Sequence, residues 1–265
     1  FHAFGSEITI LDGGDRFLPR EDRDIAEEML RVLNSKGIKV LQGVKIEAFR
    51  DNTADTSVIT SQGEFTADAV LVGVGRVPNT QGLGLANAGI ETDPSGFILV
   101  DDHLRVQGKN HIWAMGDVAG SPMFTYISLD DYRIVREQLF GDGKRNRADR
   151  TPFPTATFTE PPLAHIGLTE TAAQQSGREV KVLKLKADAI PKAKILNQTD
   201  GLLKAVVDAH SGEILGATLF CAEAHEIINL FKMAIDFRVP ARYVKNQIFT
   251  HPTIAEGLND LFAGC

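Results

Sequence analysis

Cysteine is scarce in this chain, with 2 in 265 residues, Cys221 and Cys265, far apart in sequence. They form no Cys-x-x-Cys or longer paired motif, so no disulfide framework is indicated and a reducing, cytoplasmic setting fits. Basic charge is also short: 28 Lys and Arg stand against 35 Asp and Glu, a formal net charge of −7. That leaves no electrostatic footprint for a nucleic-acid partner. No apolar run approaches the ~20 residues of a membrane span, and no signal peptide opens the sequence. Metal-ligand spacing is missing too. His225 and Glu226 resemble the start of a zinc-protease helix, but the second histidine is absent, so no metal site is expected. Gly82-x-Gly84-x-x-Asn87 lacks the third glycine of a dinucleotide turn and follows no strand.

What is present suits a soluble globular protein of one or two domains, with 43% hydrophobic and 24% charged residues. Residues 1–5 resemble the tail of a helix. Residues 8–11 read as an apolar strand closed by Asp12. In a dinucleotide-binding fold, an acidic residue ending the second strand takes the adenosine ribose hydroxyls. Its usual companion is a glycine-rich turn ~20 residues upstream. The sequence starts at Phe1 without one, and the expectation is a fragment that begins inside a fold. Asp12 serves equally well to open the turn of Gly13, Gly14 and Asp15. Residues 19–35 read as a helix with Ile25, Met29, Val32 and Leu33 inward and Gly37 as its stop. Residues 38–41 form a short strand, and 57–60 with 64–67 a hairpin or meander around Ser61, Gln62 and Gly63. The apolar run 69–74 predicts a buried parallel strand. It ends at Gly75, Arg76, Val77, Pro78 and Asn79, where such sheets bind ligands. Gly75 would let a backbone approach a cofactor, or would simply close a strand.

Residues 110–115 predict a short strand running into Gly116 and Asp117. An aspartate there can accept a sugar-like hydroxyl, although a plain turn explains the pair as well. Residues 123–140 look helical, with Ile127, Tyr132, Val135 and Leu139 as inward positions. A polar linker over 141–147 follows. Beyond about residue 150 the pattern changes to strands at 180–186, 202–207 and 215–220, the last two joined through a turn at 210–213. An amphipathic helix over 222–237 follows, with Ile227, Ile228, Phe231 and Ile235 on one side. This predicts an antiparallel sheet with helices, a separate α+β domain of ~110 residues.

The most informative stretch lies near the end. Thr253 followed by Glu256 reads as a capping box, and Ile254, Leu258, Leu261 and Phe262 recur at helical spacing. His251 is thereby held at the mouth of a helix, and Glu256 could reach back to an imidazole nitrogen. A carboxylate there would orient the ring and raise its basicity, as a general acid–base histidine requires. The plainer alternative is that Glu256 only caps the helix and His251, one of 7 histidines, has no task.

Taken in order, the strand ending at Asp12, Gly75-Arg76-x-Pro78-Asn79, Ala114-x-Gly116-Asp117 and His251-Pro252-Thr253-x-x-Glu256 resemble the class I pyridine nucleotide–disulfide oxidoreductases. The stretch from Phe124 to Tyr132 is most similar to their reactive-chlorine-resistance branch, related to mercuric reductase. That branch is associated with copper and hypothiocyanous acid reduction.

The resemblance implies an α/β partial dinucleotide-binding (Rossmann-like) domain plus a C-terminal α+β dimerisation domain. The pieces would be a partial NAD(P)-binding domain at 1–78, the end of an FAD-binding domain at 79–150 and a dimerisation domain at 151–265. It implies electron flow from NAD(P)H through FAD to a cysteine pair and on to a disulfide, metal ion or oxidant. Asp117, next to Gly116, would bind the flavin's ribityl chain, and Met123, Phe124, Thr125 and Tyr126 would line its ring. Asp12 would hold the nicotinamide cofactor's ribose, Ile46 would border the adenine and Gly75 the nicotinamide. A carboxylate at Asp12 repels a 2′-phosphate and favours NADH, although Arg16 stands nearby. His251, oriented by Glu256, would serve the thiol pair of the partner subunit in a homodimer. Both glycine turns and the redox cysteine pair are missing from this sequence. Cys221 and Cys265 do not replace that pair, and Cys265 reads as an exposed tail cysteine. Two other readings stay open: a catalytically silent dimerisation module, and another family member such as dihydrolipoamide dehydrogenase or a non-disulfide flavin oxidase.

Overall fold

The computed structural model describes residues 1–265. In chain order its regular elements are β1 (Thr9–Leu11), α1 (Arg23–Ser35), β2 (Lys39–Leu41), β3 (Ile46–Asp51), β4 (Thr56–Thr60), β5 (Gly63–Ala67) and α2 (Thr125–Phe140). There follow β6 (Thr155–Thr157), β7 (Leu163–Gly167), α3 (Glu170–Gln175), β8 (Val180–Lys186), α4 (Pro191–Leu196), β9 (Leu202–Asp208), β10 (Ile214–Phe220), α5 (Ala224–Asp236), α6 (Ala241–Lys245) and α7 (Gly257–Leu261). The chain forms two compact units, one of Phe1–Val70 with Pro152–Cys265 and one of Leu71–Thr151.

The first unit centres on a five-stranded antiparallel sheet in the order β6-β7-β10-β9-β8. Strand β9, between β10 and β8, is buried along most of its length because each face of the sheet is covered. Leu203, Ala205 and Val207 join Ile227, Ile228 and Phe231 of α5 and Leu258, Leu261 and Phe262 near α7 in one core. On the other face, Leu163 and Phe220 meet Ile25, Met29 and Val32 of α1 and Phe17 before it. Each of the Leu, Ile, Val, Met and Phe side chains among them contributes about 1.5–3 kcal/mol on burial. The parallel pair β1–β2 and the meander β3-β4-β5 complete the unit.

In the second unit, Ile98, Leu104, Val106, Ala114 and Ala119 gather around Ile134 of α2. Isolated bridges, such as Arg105 with Trp113, take the place of strands here.

Several expectations need correction. Helix α1 begins at Arg23 rather than near residue 19, because Leu18 adopts φ +45° and Asp22 is extended. The run 69–74 forms no strand, and Leu71 is 82% exposed. Apolar composition does not make a strand without a neighbour to complete its hydrogen bonds, and the β1–β2 pair takes no third member. Residues 110–115 form bridges only. On α2, Tyr132 and Leu139 face outward, and the inward positions are Ile127, Asp131 and Ile134. Cys265 is half-buried against the main core rather than an exposed tail residue.

Candidate functional site

His251 leads into the last helix by a turn that its own sequence builds. Glu256 N–H donates to Thr253 Oγ1 at 3.2 Å, and Thr253 N–H donates back to Glu256 Oε1 at 3.2 Å. This is the reciprocal bonding of a capping box, although regular helix starts only at Gly257. Ile254, Leu258, Leu261 and Phe262 are buried and anchor the turn. Gly257 sits so near Ile190 that a Cβ would come within 2.7 Å of it. From one turn further on, Asn259 Nδ2 donates to the carbonyls of Val244, Lys245 and Gln247 at 3.1, 2.8 and 3.0 Å. Those bonds hold the segment that approaches His251.

The second Glu256 oxygen, Oε2, lies 2.7 Å from His251 Nδ1. The imidazole and the Thr253 N–H hold the Glu256 carboxyl below the usual carboxylate range. Burial is lopsided: the His251 side chain is 70% exposed and that of Glu256 only 18%. The carboxylate accepts from the ring at Nδ1, which leaves Nε2 as the nitrogen not engaged by Glu256. The His251–Pro252 peptide bond is cis.

Asp12 follows β1, and its Oδ1 accepts from Gly14 N–H at 2.9 Å. It thus opens the turn, with Oδ2 uncommitted, and the next loop residues through Arg16 are exposed. Ile46 begins β3 opposite Thr60 and is 38% exposed.

In the second unit, Gly75 has φ +148°, which demands glycine, and open space where a Cβ would stand. Gly116 has φ +70°, and a Cβ on it would lie 2.8 Å from Ser128 Oγ of α2. Asp117 follows in a short 3₁₀ turn, exposed. Its carboxylate makes no bond within the chain. Met123 and Phe124 are half-buried, and Thr125 and Tyr126 are exposed at the start of α2. The Phe124 and Tyr126 rings stack with centroids 5.1 Å apart.

Two polar clusters escaped the sequence reading. Asp131 of α2 is fully buried, accepts Gly116 N–H at 2.7 Å and pairs with Arg150. Arg150 also reaches Asp130 at 2.7 Å. Although burial opposes it, hydrogen bonds from Arg150 and Arg145 hold Asp130 below the usual carboxylate range. The available signal was an aspartate at helical spacing between Ile127 and Ile134. In the first unit, Lys204 is only 2% exposed, with its Nζ 2.6 Å from Glu170, 3.0 Å from Asp22 and 3.0 Å from Asp24. Asp22 also accepts the N–H groups of Glu170 and Thr171 at 2.9 and 3.1 Å. Here the signal was a lysine at the centre of an otherwise apolar strand.

Cys221 is buried beside Glu223, and its thiol is pushed up to about 12, so it is an inert core residue. No group of three or more His, Cys, Asp or Glu side chains lies close enough to hold a metal ion. No helix is long and apolar enough to cross a membrane.

Residues 1–131 match the family described as pyridine nucleotide-disulphide oxidoreductase, and residues 153–262 match its dimerisation domain. The chain is 44% identical over 263 residues to the probable pyridine nucleotide-disulfide oxidoreductase RclA of Escherichia coli, covering 99% of this chain and 59% of the relative. It is 33% identical to a mercuric reductase of Staphylococcus aureus, covering 97% of this chain and 48% of that enzyme. A solved structure titled HOCl-induced flavoprotein disulfide reductase RclA, also from Escherichia coli, superposes with a TM-score of 0.96 over 99% of this chain and 60% of that one. The chain thus spans 48–60% of the length of these relatives.

Proposed function

From the premise that this chain belongs to the pyridine nucleotide–disulfide oxidoreductase family, we propose that it serves a flavin-dependent NAD(P)H oxidoreductase with His251 as its acid–base residue. Bound FAD would relay electrons from NAD(P)H to a cysteine pair that this sequence does not contain, and the acceptor beyond would be a small molecule or a metal ion. A disulfide, a reactive oxidant or a metal ion suits the names of the relatives. The observation that carries the reading is the 2.7 Å bond from His251 Nδ1 to Glu256, which leaves the other ring nitrogen exposed.

The residues fit the cofactors. An exposed, uncommitted carboxylate at Asp117 suits the hydroxyls of a ribityl chain. Gly116 keeps that turn free of a side chain, and Met123, Phe124, Thr125 and Tyr126 offer an apolar and aromatic border to a flat ring. Bound FAD supplies the electron transfer itself. Asp12 accepts ribose hydroxyls of the nicotinamide cofactor through its uncommitted oxygen, Ile46 borders the adenine, and Gly75 allows close backbone approach. The carboxylate at Asp12 favours NADH over NADPH, with Arg16 the residue that limits the preference. His251 Nε2 moves the proton of a substrate-facing thiol, while Glu256 holds Nδ1–H and stabilises the charged ring.

The domain reading follows: NAD(P)-binding residues at 1–78, the end of an FAD domain at 79–150 and dimerisation residues at 151–265. A homodimer is supported by an apolar surface on α5 and α6. Leu230, Met233, Phe237 and Tyr243 are exposed there beside a hollow of ≈ 340 Å³. Such a patch marks an interaction surface. His251 then acts in the active site of the partner subunit. The protein works in the reducing cytoplasm.

The test uses the full-length protein. A flavin absorption band near ~450 nm, together with acceptor-dependent oxidation of NADH faster than of NADPH, is the expected result. A colourless protein that oxidises neither nucleotide would overturn the reading in favour of a silent dimerisation module.

A further inference from the structure

We propose that Asp131, backed by Arg150, is a positioning residue that locks the Gly116–Asp117 turn to helix α2 and so sets the geometry of flavin contacts. The inference rests on the flavin reading above.

A carboxylate with no solvent exposure, on the apolar face of a helix, is costly unless every oxygen has a donor. Asp131 meets that condition with two partners. Its Oδ2 takes Gly116 N–H at 2.7 Å, and its Oδ1 takes the Arg150 guanidinium. A leucine would fill the same helix position but would leave Gly116 N–H without an acceptor.

The turn and the helix touch at a second point. Ser128, three residues before Asp131 and therefore on the same helix face, lies where a Gly116 Cβ would stand. Asp117 is the next residue after Gly116. Thr125 and Tyr126 form the first turn of the helix that carries Ser128 and Asp131, with Met123 and Phe124 directly before it. Loss of the Asp131 bond frees the Asp117 carboxylate to shift against the ring-lining residues. Arg150, only 14% exposed, holds Asp131 and Asp130 together and keeps the carboxylate in place.

The experiment is FAD titration of deflavinated full-length protein, far below its melting temperature, followed by flavin fluorescence and visible circular dichroism. Asp131→Leu, which removes the acceptor, weakens FAD binding about tenfold or more, while Asp131→Asn, whose amide oxygen can still accept Gly116 N–H, weakens it less. A purely structural role would lower the melting temperature and leave both the affinity and the dichroism unchanged. Wild-type affinity in both variants overturns the inference. Should Asp131→Leu fail to fold, Arg150→Met decides: weaker FAD binding supports the inference, and unchanged binding overturns it. Asp117→Ala in the same assay separates the two readings. If Asp117→Ala binds FAD normally, the flavin reading falls. If it weakens binding while Asp131→Leu and Arg150→Met do not, the positioning inference alone falls.

Discussion

His251 with Glu256, and Lys204 with its three carboxylates, are built from the same parts and put to opposite ends. In both, a nitrogen group is held by a carboxylate, Glu256 or Asp22, that is itself fixed by backbone N–H groups. Around Lys204 nothing is left over: three oxygens at 2.6–3.0 Å satisfy the ammonium's three donors, and the side chain is 2% exposed. Around His251 only one nitrogen is committed to Glu256, on a ring that is 70% exposed. Saturation and burial make an anchor, which joins the start of α1 and the start of α3 to strand β9 of the sheet. An incomplete shell leaves one ring nitrogen available, as the acid–base role proposed for His251 requires.

The largest effect that would test this contrast is on stability. Lys204→Met leaves Asp22, Asp24 and Glu170 facing one another and should destabilise the fold by about 3–5 kcal/mol in chemical denaturation. Any folded fraction should keep normal turnover. A loss of turnover per folded molecule would erase the distinction between anchor and acid–base group. Next comes Glu256→Gln. The neutral amide keeps a bond to the ring but not its charge, and turnover should fall about tenfold, on the scale of a hydrogen bond to a charged group. The melting temperature should move little.

The pH dependence of stability gives a third test. Against the opposing effect of burial, the Lys204 ammonium and neighbouring donors hold Asp22 and Asp24 below the usual carboxylate range. Carboxylates depressed in the fold stabilise it fully above their unfolded pKa, and that contribution drains away as pH falls through the lower folded value. The wild type should therefore lose stability below about pH 4. Lys204 itself is raised by Glu170, Asp22 and Asp24, against burial. Its contribution is complete below the unfolded lysine pKa and is lost only as pH rises above about 10.4. Lys204→Met should flatten the acid limb of melting temperature against pH, and an unchanged limb would contradict the anchor. The smallest effect calibrates the rest. Arg50 and Glu64 form an exposed cross-strand pair at 3.2 Å, and Arg50→Ala should cost less than about 1 kcal/mol.

Legibility in the sequence followed the same divide between local and distant causes. Strands β8, β9 and β10, helix α5 and the buried face of the last helix were readable because apolar spacing is a local signal. The reach of Glu256 to His251 was readable because both lie within two turns of chain. The run 69–74 misled, since a strand depends on a partner that its own residues do not specify. Strands β6 and β7 are short, with Pro161 and Pro162 in the connection between them, and they drew no signal at all. Asp131, Arg150 and Lys204 stayed hidden for another reason. Each is a polar residue whose partners lie well away in sequence, up to 182 positions between Asp22 and Lys204, and no periodicity records that pairing. Asp12 was legible as a turn opener, and its bond to Gly14 N–H is a local event of that kind.

The most direct test of the contrast is His251→Ala in the full-length protein, with thiol-dependent turnover, flavin content and melting temperature measured on one preparation. Turnover should fall ~100-fold or more, the scale of a lost general acid–base, with flavin content and melting temperature unchanged. Turnover equal to the wild type would contradict the account, and His251 would then be a capped, exposed residue at the mouth of a helix.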